Sequence, residues 1–244
     1  SSTKSAVISV SDDGNGNIRL VDGTQGTKDI VINTAGNLLL TDSINATRNL
    51  TLNAGGAIQA QGRAVNGVTM LPTLTAVKFS ATAAGDIGLA AQAIKTNVEN
   101  LTANTTNGGV FLTEQNGLKR ADITATKDIS LNADTGDIVL GALSTQKQQT
   151  NNSVTTATKA TVSSKKGAIL AATTNPAATN IQAGELDISA LSSIGTANNN
   201  IKTNVDRVKL TNTATSSSVG SYISNASELK NIDASVRGTN ALVK

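Results

Sequence analysis

A short pattern that occurs twice between Lys28 and Ala60 is the feature that most constrains the fold. The stretch reads KDIVIN, GNLLL, RNLTLN and GAIQA in turn, and each phrase carries two apolar residues separated by one other residue. Equivalent positions recur 20 residues apart, as in Ile18, Leu38 and Ile58 (38 − 18 and 58 − 38). Apolar residues at i and i+2 are typical of a strand that buries one face, whereas a helix buries i, i+3 and i+4. A fixed period made of two short strands predicts a solenoid whose turns bury their faces against one another.

Asparagine supports this prediction. Asn33 and Asn53 each follow an apolar triplet and lie 20 residues apart (53 − 33), and Asn132 follows Ile129 and Leu131 in the same setting. Asparagine tolerates left-handed backbone and bonds nearby peptide groups, so it suits a sharp bend. Repeated at one period it predicts a ladder of stacked side-chain amides, although turn asparagines that align by chance are the alternative.

The fold prediction is an all-β, right-handed parallel β-helix (β-solenoid) with coils of about 20 residues. The 244 residues would form roughly a dozen coils and a rod about 55 to 60 Å long at the usual strand spacing. We predict a single solenoid segment over residues 1–244 with loop-like interruptions at 61–76, which contains Pro72, and at 141–166, which is polar and low in complexity.

Composition fits a narrow core. The chain has 38% apolar residues but only three aromatic ones (Phe79, Phe111 and Tyr222), with 26 Asn and 56 Ser or Thr by count. Two layers of strand leave little room for large rings, and the regular apolar triplets argue against disorder. The net charge of +3 comes from lysines scattered among acids, so we predict no nucleic-acid partner.

The longest internal match is a duplication. Residues 85–123 align with 192–233, first at an offset of 107 (Ile87 on Ile194) and then, after four extra residues, at an offset of 111 (Phe111 on Tyr222). We expect the two matched aromatics to pack at a corner or core end of a coil.

One segment of the first copy is ambiguous. Ile94, Val98 and Leu101 have helical spacing, so a short helix competes with a strand there. The intervening Thr and Asn are poor helix formers, which favours the strand.

The residue types exclude several chemistries. The chain has no His and no Cys, so His-based acid–base catalysis, a Cys nucleophile and the usual zinc sites are excluded. Aspartates recur directly before apolar triplets, and a carboxylate at a repeated turn position is interpreted as structural; they are Asp29, Asp86, Asp122, Asp128, Asp137 and Asp187. We therefore predict no catalytic, cofactor-binding or metal-binding residues, no cofactor and no enzymatic activity.

Two weaker patterns point to other functions. Asp12, Asp13, Asn15 and Asn17 carry the oxygen ligands that calcium prefers, but their spacing fits no calcium loop, and a plain turn is favoured. Outward threonines suggest an ice-binding solenoid, yet no T-x-T repeat recurs at a constant interval; these residues are Thr24, Thr47, Thr51, Thr124 and Thr126.

The phrases GNLLL, NLTLNAGGAI, KDISLNADTGDIVL and SIGTANNNIKTNV resemble the repeat regions of filamentous-haemagglutinin-type exoproteins, the large adhesins of the two-partner secretion pathway. The resemblance covers most of the chain except 61–76 and 141–166. It implies a right-handed parallel β-helix and export through an outer-membrane transporter. The protein would then be secreted by a Gram-negative bacterium or displayed on its surface. The family's amino-terminal secretion signature is not found, so this chain would be an interior segment.

The predicted function is therefore a structural or adhesive β-solenoid segment of a large exoprotein, acting in attachment or as a stalk. Expected partners are host-cell or matrix glycans or proteins, or sibling chains in end-to-end association. A self-assembling filament subunit is the alternative, and a polysaccharide-active β-helix enzyme or an ice-binding solenoid is less favoured.

Overall fold

The computed structural model describes residues 6–9, 17–20, 25–65, 67–151, 154–172, 178–216, 219–237 and 240–244. In these residues the regular structure is all strand, with no helix, and so no helix is long and apolar enough to cross a membrane.

The first strands are β1 (Ala6–Ser9), β2 (Asn17–Leu20), β3 (Gln25–Thr34), β4 (Asn37–Leu40), β5 (Ile44–Ala54), β6 (Ile58–Ala60), β7 (Arg63–Val65), β8 (Val68–Met70) and β9 (Thr73–Ala83). The middle strands are β10 (Ile94–Thr105), β11 (Val110–Glu114), β12 (Leu118–Thr124), β13 (Ile129–Ala133), β14 (Ile138–Ser144), β15 (Gln148–Asn151), β16 (Val154–Ala157), β17 (Lys159–Ser164) and β18 (Ile169–Ala171). The last are β19 (Ile181–Gln182), β20 (Glu185–Ala190), β21 (Ile201–Asn204), β22 (Arg207–Asn212), β23 (Gly220–Asn225), β24 (Asn231–Val236) and β25 (Asn240–Val243).

The strands stack in parallel as a β-solenoid of about nine turns with a spacing near 22 residues. The predicted fold class, with coils of about 20 residues, is confirmed, but the solenoid has about nine turns and not the predicted dozen. In register, Ile30 pairs with Leu50, Leu50 with Phe79 and Phe79 with Leu101, which gives steps of 20, 29 and 22 residues (50 − 30, 79 − 50, 101 − 79). Nine turns at the usual strand spacing make a rod about 43 Å long.

The core is a column of stacked aliphatic side chains. Inward residues alternate with outward ones along each strand, so Ile129, Leu131 and Ala133 are buried while Ser130 and Asn132 are partly exposed. Ile94–Thr105 is a strand with the same alternation, which confirms the strand and excludes the helix that competed with it. One large ring, that of Phe79, lies in this core.

Both predicted interruptions are shorter than expected, because each is an antiparallel hairpin between strands that keep their place in the stack. The hairpin β7–β8 leaves after β6, and the chain rejoins the solenoid at Thr73, not after residue 76. The hairpin β15–β16 leaves after β14, and the stack resumes at Lys159, not after residue 166. Residues 141–166 therefore include parts of two regular coils, which their polar composition made look like a loop.

The duplication has a clear structural meaning. In the first copy Ile87 and Ile94, which flank a short loop, pair with Val110 and Leu112 of the single strand β11. The second copy repeats this at the expected offsets: Ile194 and Ile201 pair with Ser221 and Ile223 of β23. Each unit thus places two strand segments of one coil on one continuous strand of the next.

A glycine makes this arrangement possible in both copies. Gly88 and Gly195 have positive φ values of 74° and 65°, a conformation that favours glycine. A Cβ on Gly88 would overlap the carbonyl oxygen of Phe111, and one on Gly195 would crowd that of Tyr222. The loop can fold back only because neither position carries a side chain.

The two copies lie on different sides of the solenoid. Ile87 belongs to the ladder that continues through Val110, Ile129 and Ala160. Ile194 instead continues a separate ladder through Ile138 and Ile169. The second copy therefore lies at a different position around the circumference of the solenoid, as well as farther along its axis.

The matched aromatics are not in the core. Phe111 and Tyr222 are half-buried on the outer surface, between inward neighbours. Their rings lie over Gly109 and Gly220, where a Cβ would meet ring carbons. Of the expected corner or core end of a coil, the core end is wrong, because each aromatic occupies an outward-facing position of its strand.

Candidate functional site

The repeated aspartates bind the coil that follows. Asp86 Oδ1 accepts a hydrogen bond from the backbone N–H of Gly109 (2.7 Å), and Asp137 Oδ1 accepts one from Ala168 (2.7 Å). Asp122 and Asp128 do the same for Ala142 (3.0 Å) and Lys159 (2.8 Å), and Asn37 does so for Ala57 (2.7 Å). Four of these five side chains satisfy a donor at the start of a strand, whereas Asp122 satisfies Ala142 inside β14, where the pairing of β12 with β14 shifts in register. This is the structural role that the sequence indicates.

Asp122 also forms an ion pair, with Arg120 (2.5 Å), and the other two aspartates form ion pairs as well. Asp29 pairs with Arg48 and also accepts from Asn49 Nδ2 (2.6 Å), while Asp187 pairs with Lys159 Nζ (3.0 Å). Across the described residues no three His, Cys, Asp or Glu side chains gather as metal ligands. Asp12, Asp13 and Asn15 lie outside the described residues, as does Thr24, and the side chain of Asn17 is not described.

One carboxylate is buried inside the solenoid. Glu114 is fully buried; Thr96 Oγ1 donates to its Oε2 (2.7 Å), and the N–H groups of Val98 (3.1 Å) and Asn116 (3.2 Å) donate to its Oε1. Burial raises the pKa of Glu114 above its ordinary value, although the hydrogen bonds from Thr96 and the backbone act in the opposite direction. A raised folded-state pKa means that this group stabilises the fold fully below the ordinary pKa of Glu. That contribution is lost as the pH rises through the raised value.

The second copy solves the same problem without charge. Asn225 lies 111 residues after Glu114 and accepts from Thr203 Oγ1 (2.7 Å) and the N–H of Val205 (3.1 Å). Its Nδ2 also donates to the carbonyl of Val205 (3.0 Å). A neutral amide therefore fits a position where the first copy holds a carboxylate.

The most regular surface feature is a ladder of uncharged polar residues, here called the outer ladder. Each member faces outward from a strand and pairs in register with the next coil, one residue per coil. The members are Asn33, Asn53, Thr82, Asn104, Thr124, Ser144, Gln182 and Asn204.

Sequence reasoning missed the outer ladder because coil lengths vary. Successive members are 20, 29, 22, 20, 20, 38 and 22 residues apart (53 − 33, 82 − 53, 104 − 82, 124 − 104, 144 − 124, 182 − 144, 204 − 182). The steps of 29 and 38 contain the two hairpins. A search for a constant interval of 20 residues joins Asn33 with Asn53 and, separately, Asn104 with Thr124 and Ser144, but it does not connect the two groups.

In the middle of the outer ladder, the side chains make no hydrogen bonds to other described residues. Asn53 Nδ2 donates to Asn33 Oδ1 (2.7 Å), so these two predicted amides stack, on the outer side of strands and not at a bend. Asn132 lies on a different ladder, where its Oδ1 accepts from Ser163 (2.6 Å). Within the part of the chain that the structure describes, the side chains of Thr82, Asn104 and Thr124 have no protein partner. Their hydrogen-bonding groups face solvent.

A second column lies two residues earlier in the same strands. Thr51, Ser80 and Thr102 are in register there and extend the polar surface. In the same column Val31 precedes these three residues and Asp122 and Ala142 follow them, so its polar regularity covers three coils. Of the threonines singled out in the sequence, the structure brings Thr51 and Thr124 to this face. Thr47 lies on the strand before the bend, and Thr126 donates to the carbonyl of Gly108 (3.4 Å).

Charges dominate a different face. Arg207 pairs with Glu185 (3.0 Å), and Lys159 with Asp187 (3.0 Å). Nearby, Lys230 (2.6 Å) and Lys147 (3.0 Å) both bind Asp206 and hold the pKa of its carboxyl below the ordinary value. The two faces therefore offer different chemistry, one neutral and one of alternating charge.

Comparison of the chain with protein-family models, with curated proteins and with solved structures finds no match.

Proposed function

We propose that this chain is a structural or adhesive β-solenoid segment of a large secreted or cell-surface exoprotein of the filamentous-haemagglutinin type. The observation that carries the proposal is the unbroken parallel stack, in which hairpins are inserted without loss of register. Such a stack holds surface groups at fixed intervals along a rod, which suits a stalk or an adhesive surface.

The proposal extends to location and partners. The chain acts at the surface of a Gram-negative bacterium or after secretion, reaches it through an outer-membrane transporter, and contacts host or matrix glycans or proteins. It is not an enzyme and needs no cofactor. These statements rest on the resemblance of its repeat phrases and on the regular polar faces.

Attachment is tested with beads coated with the purified chain and applied to cultured epithelial cells and to extracellular matrix. Chain-coated beads should be retained well above albumin-coated beads, and soluble chain should compete. Retention equal to albumin on every surface would refute the adhesive role. Antibody labelling of intact source cells, before and after protease treatment, tests the location.

A second candidate is a subunit of a self-assembling filament. Ile232 is 49% exposed in β24, although its ladder partners Val208 and Leu186 are 2% and 1% exposed. A further coil stacked on β24 would bury it, whether that coil belongs to the same polypeptide or to a second copy. Sedimentation velocity over a range of concentrations decides: growing end-to-end species support the filament, and a constant monomer refutes it.

A further inference from the structure

We propose that the outer ladder binds a linear, uncharged polysaccharide that lies along the solenoid axis. This inference deepens the proposed adhesive function and rests on it, since it names the class of ligand and the surface that binds it.

The first argument is spacing. The outer ladder presents one side chain per coil over eight coils, from Asn33 to Asn204. Neighbouring strands lie about 4.8 Å apart, so seven steps span roughly 34 Å. The rise per sugar in an extended, β-linked polysaccharide is close to this interval, and because alternate sugars of such a chain are turned over, equivalent sugar edges meet every second rung.

The second argument is hydrogen-bonding capacity. Amides and hydroxyls both donate and accept, as sugar hydroxyls do. Thr82, Asn104 and Thr124 are exposed and have no partner within the described protein. A sugar can therefore bind these groups without breaking an existing protein contact.

The third argument is charge. No rung of the outer ladder is ionisable, whereas the face with Lys159, Glu185 and Arg207 is densely charged. A polyanion gains nothing from the neutral ladder beyond what a neutral polymer gains. The ligand that matches the ladder is uncharged.

The fourth argument concerns binding strength. The outward residues of the ladder include no aromatic ring on which a sugar could stack. Each rung contributes a weak polar contact, and useful affinity needs many rungs at once. Binding should therefore rise steeply with the length of the polysaccharide.

A regular polar face can also order water on ice, but that requires regularity in two dimensions. The outer ladder is regular over eight coils, while the adjacent column is interrupted by Val31, Asp122 and Ala142. The surface is a line of repeated groups, which favours a linear polymer.

The test is affinity electrophoresis of the full chain in gels that contain soluble mixed-linkage β-glucan, with hyaluronate as the anionic polymer. The disrupting variant is Asn104→Lys/Thr124→Lys, two exposed rungs. The matched control is Ser189→Lys/Thr211→Lys, which lie one coil apart on a ladder of another strand stack. Circular dichroism and thermal unfolding verify that both variants fold.

We expect retardation by β-glucan, a loss of about tenfold or more in affinity for the disrupting variant, and no change for the control. Oligosaccharides shorter than about three sugars should fail to compete. Equal losses in both variants, no retardation, or stronger binding to hyaluronate would overturn the proposal. Thermal hysteresis without glucan binding would assign the face to ice. If glucan binding fails while chain-coated beads still adhere to cells, this inference fails and the adhesive function stands; if both fail, both are refuted.

Discussion

Replacement of Leu38 by alanine tests whether the core is a rigid stack. Leu38 is fully buried and lies in register with Ile18 in the coil before and Ile58 in the coil after. Three carbons at about 0.8 kcal/mol each give a transfer loss of about 2.4 kcal/mol. The backbone ladders hold the coils at a fixed distance, so neighbours cannot close the cavity, and the total should reach about 3 to 5 kcal/mol.

Leu39 provides the matched control, because it is the adjacent residue of the same strand and faces outward. Leu39→Thr should change the free energy of unfolding by about 0.5 kcal/mol or less. Both variants are measured by urea titration followed by circular dichroism at 25 °C. Similar losses for the two variants would mean that both faces are buried or that the strand register is wrong, and the solenoid reasoning would be refuted.

Three further substitutions test individual contacts. Glu114→Gln keeps the acceptor for Val98 and removes the buried charge; in thermal unfolding it should be more stable than wild type at pH 7, with the difference shrinking toward pH 4, and a pH-independent difference would contradict the raised pKa. Gly88→Ala should lower the free energy of unfolding in urea titration by about 2 to 5 kcal/mol, because a left-handed backbone strains alanine and its Cβ overlaps a neighbouring carbonyl oxygen. Gly67 also has a positive φ but has open space around it, so Gly67→Ala should lower the free energy of unfolding by only about 1 to 2 kcal/mol. Equal losses would exclude a contribution from the overlap. Asp137→Ala should lower the free energy of unfolding by about 1 to 3 kcal/mol because the N–H of Ala168 is left unpaired, while Asp137→Asn should lower it by less than about 1 kcal/mol. Equal losses would show that the hydrogen bond to Ala168 is not the cause.

Local patterns in the sequence are sufficient to predict the strands and the face of each strand that is buried. The triplet at Leu38 and Leu40 specifies a strand and its inward side, because alternation is a property of a few consecutive residues. The same holds for Ile94–Thr105, where poor helix formers decide against a helix. The duplication was also visible, and its offset of 111 places Glu114 on Asn225, so their shared role was within reach of the sequence.

The position of each residue around and along the solenoid was not predictable in the same way. Thr82 joins Asn53 and Asn104 only because the hairpin β7–β8 returns to the stack, and nothing local in the sequence states where a hairpin rejoins. The number of coils was overestimated for the same reason, since hairpin residues were counted as turns. The outward aromatics show a further limit: a shared offset proves equivalence but does not state which face is buried.

The two hairpins separate the length of the polypeptide from the length of the rod. A segment added at the tip of β7–β8 or β15–β16 lengthens the chain without adding a rung, because the strands before and after it are already paired with their neighbours. The entropic cost of such an addition grows only with the logarithm of its length. Insertions at these two hairpin tips can therefore differ between related proteins, while the spacing between distant surface groups along the rod stays constant.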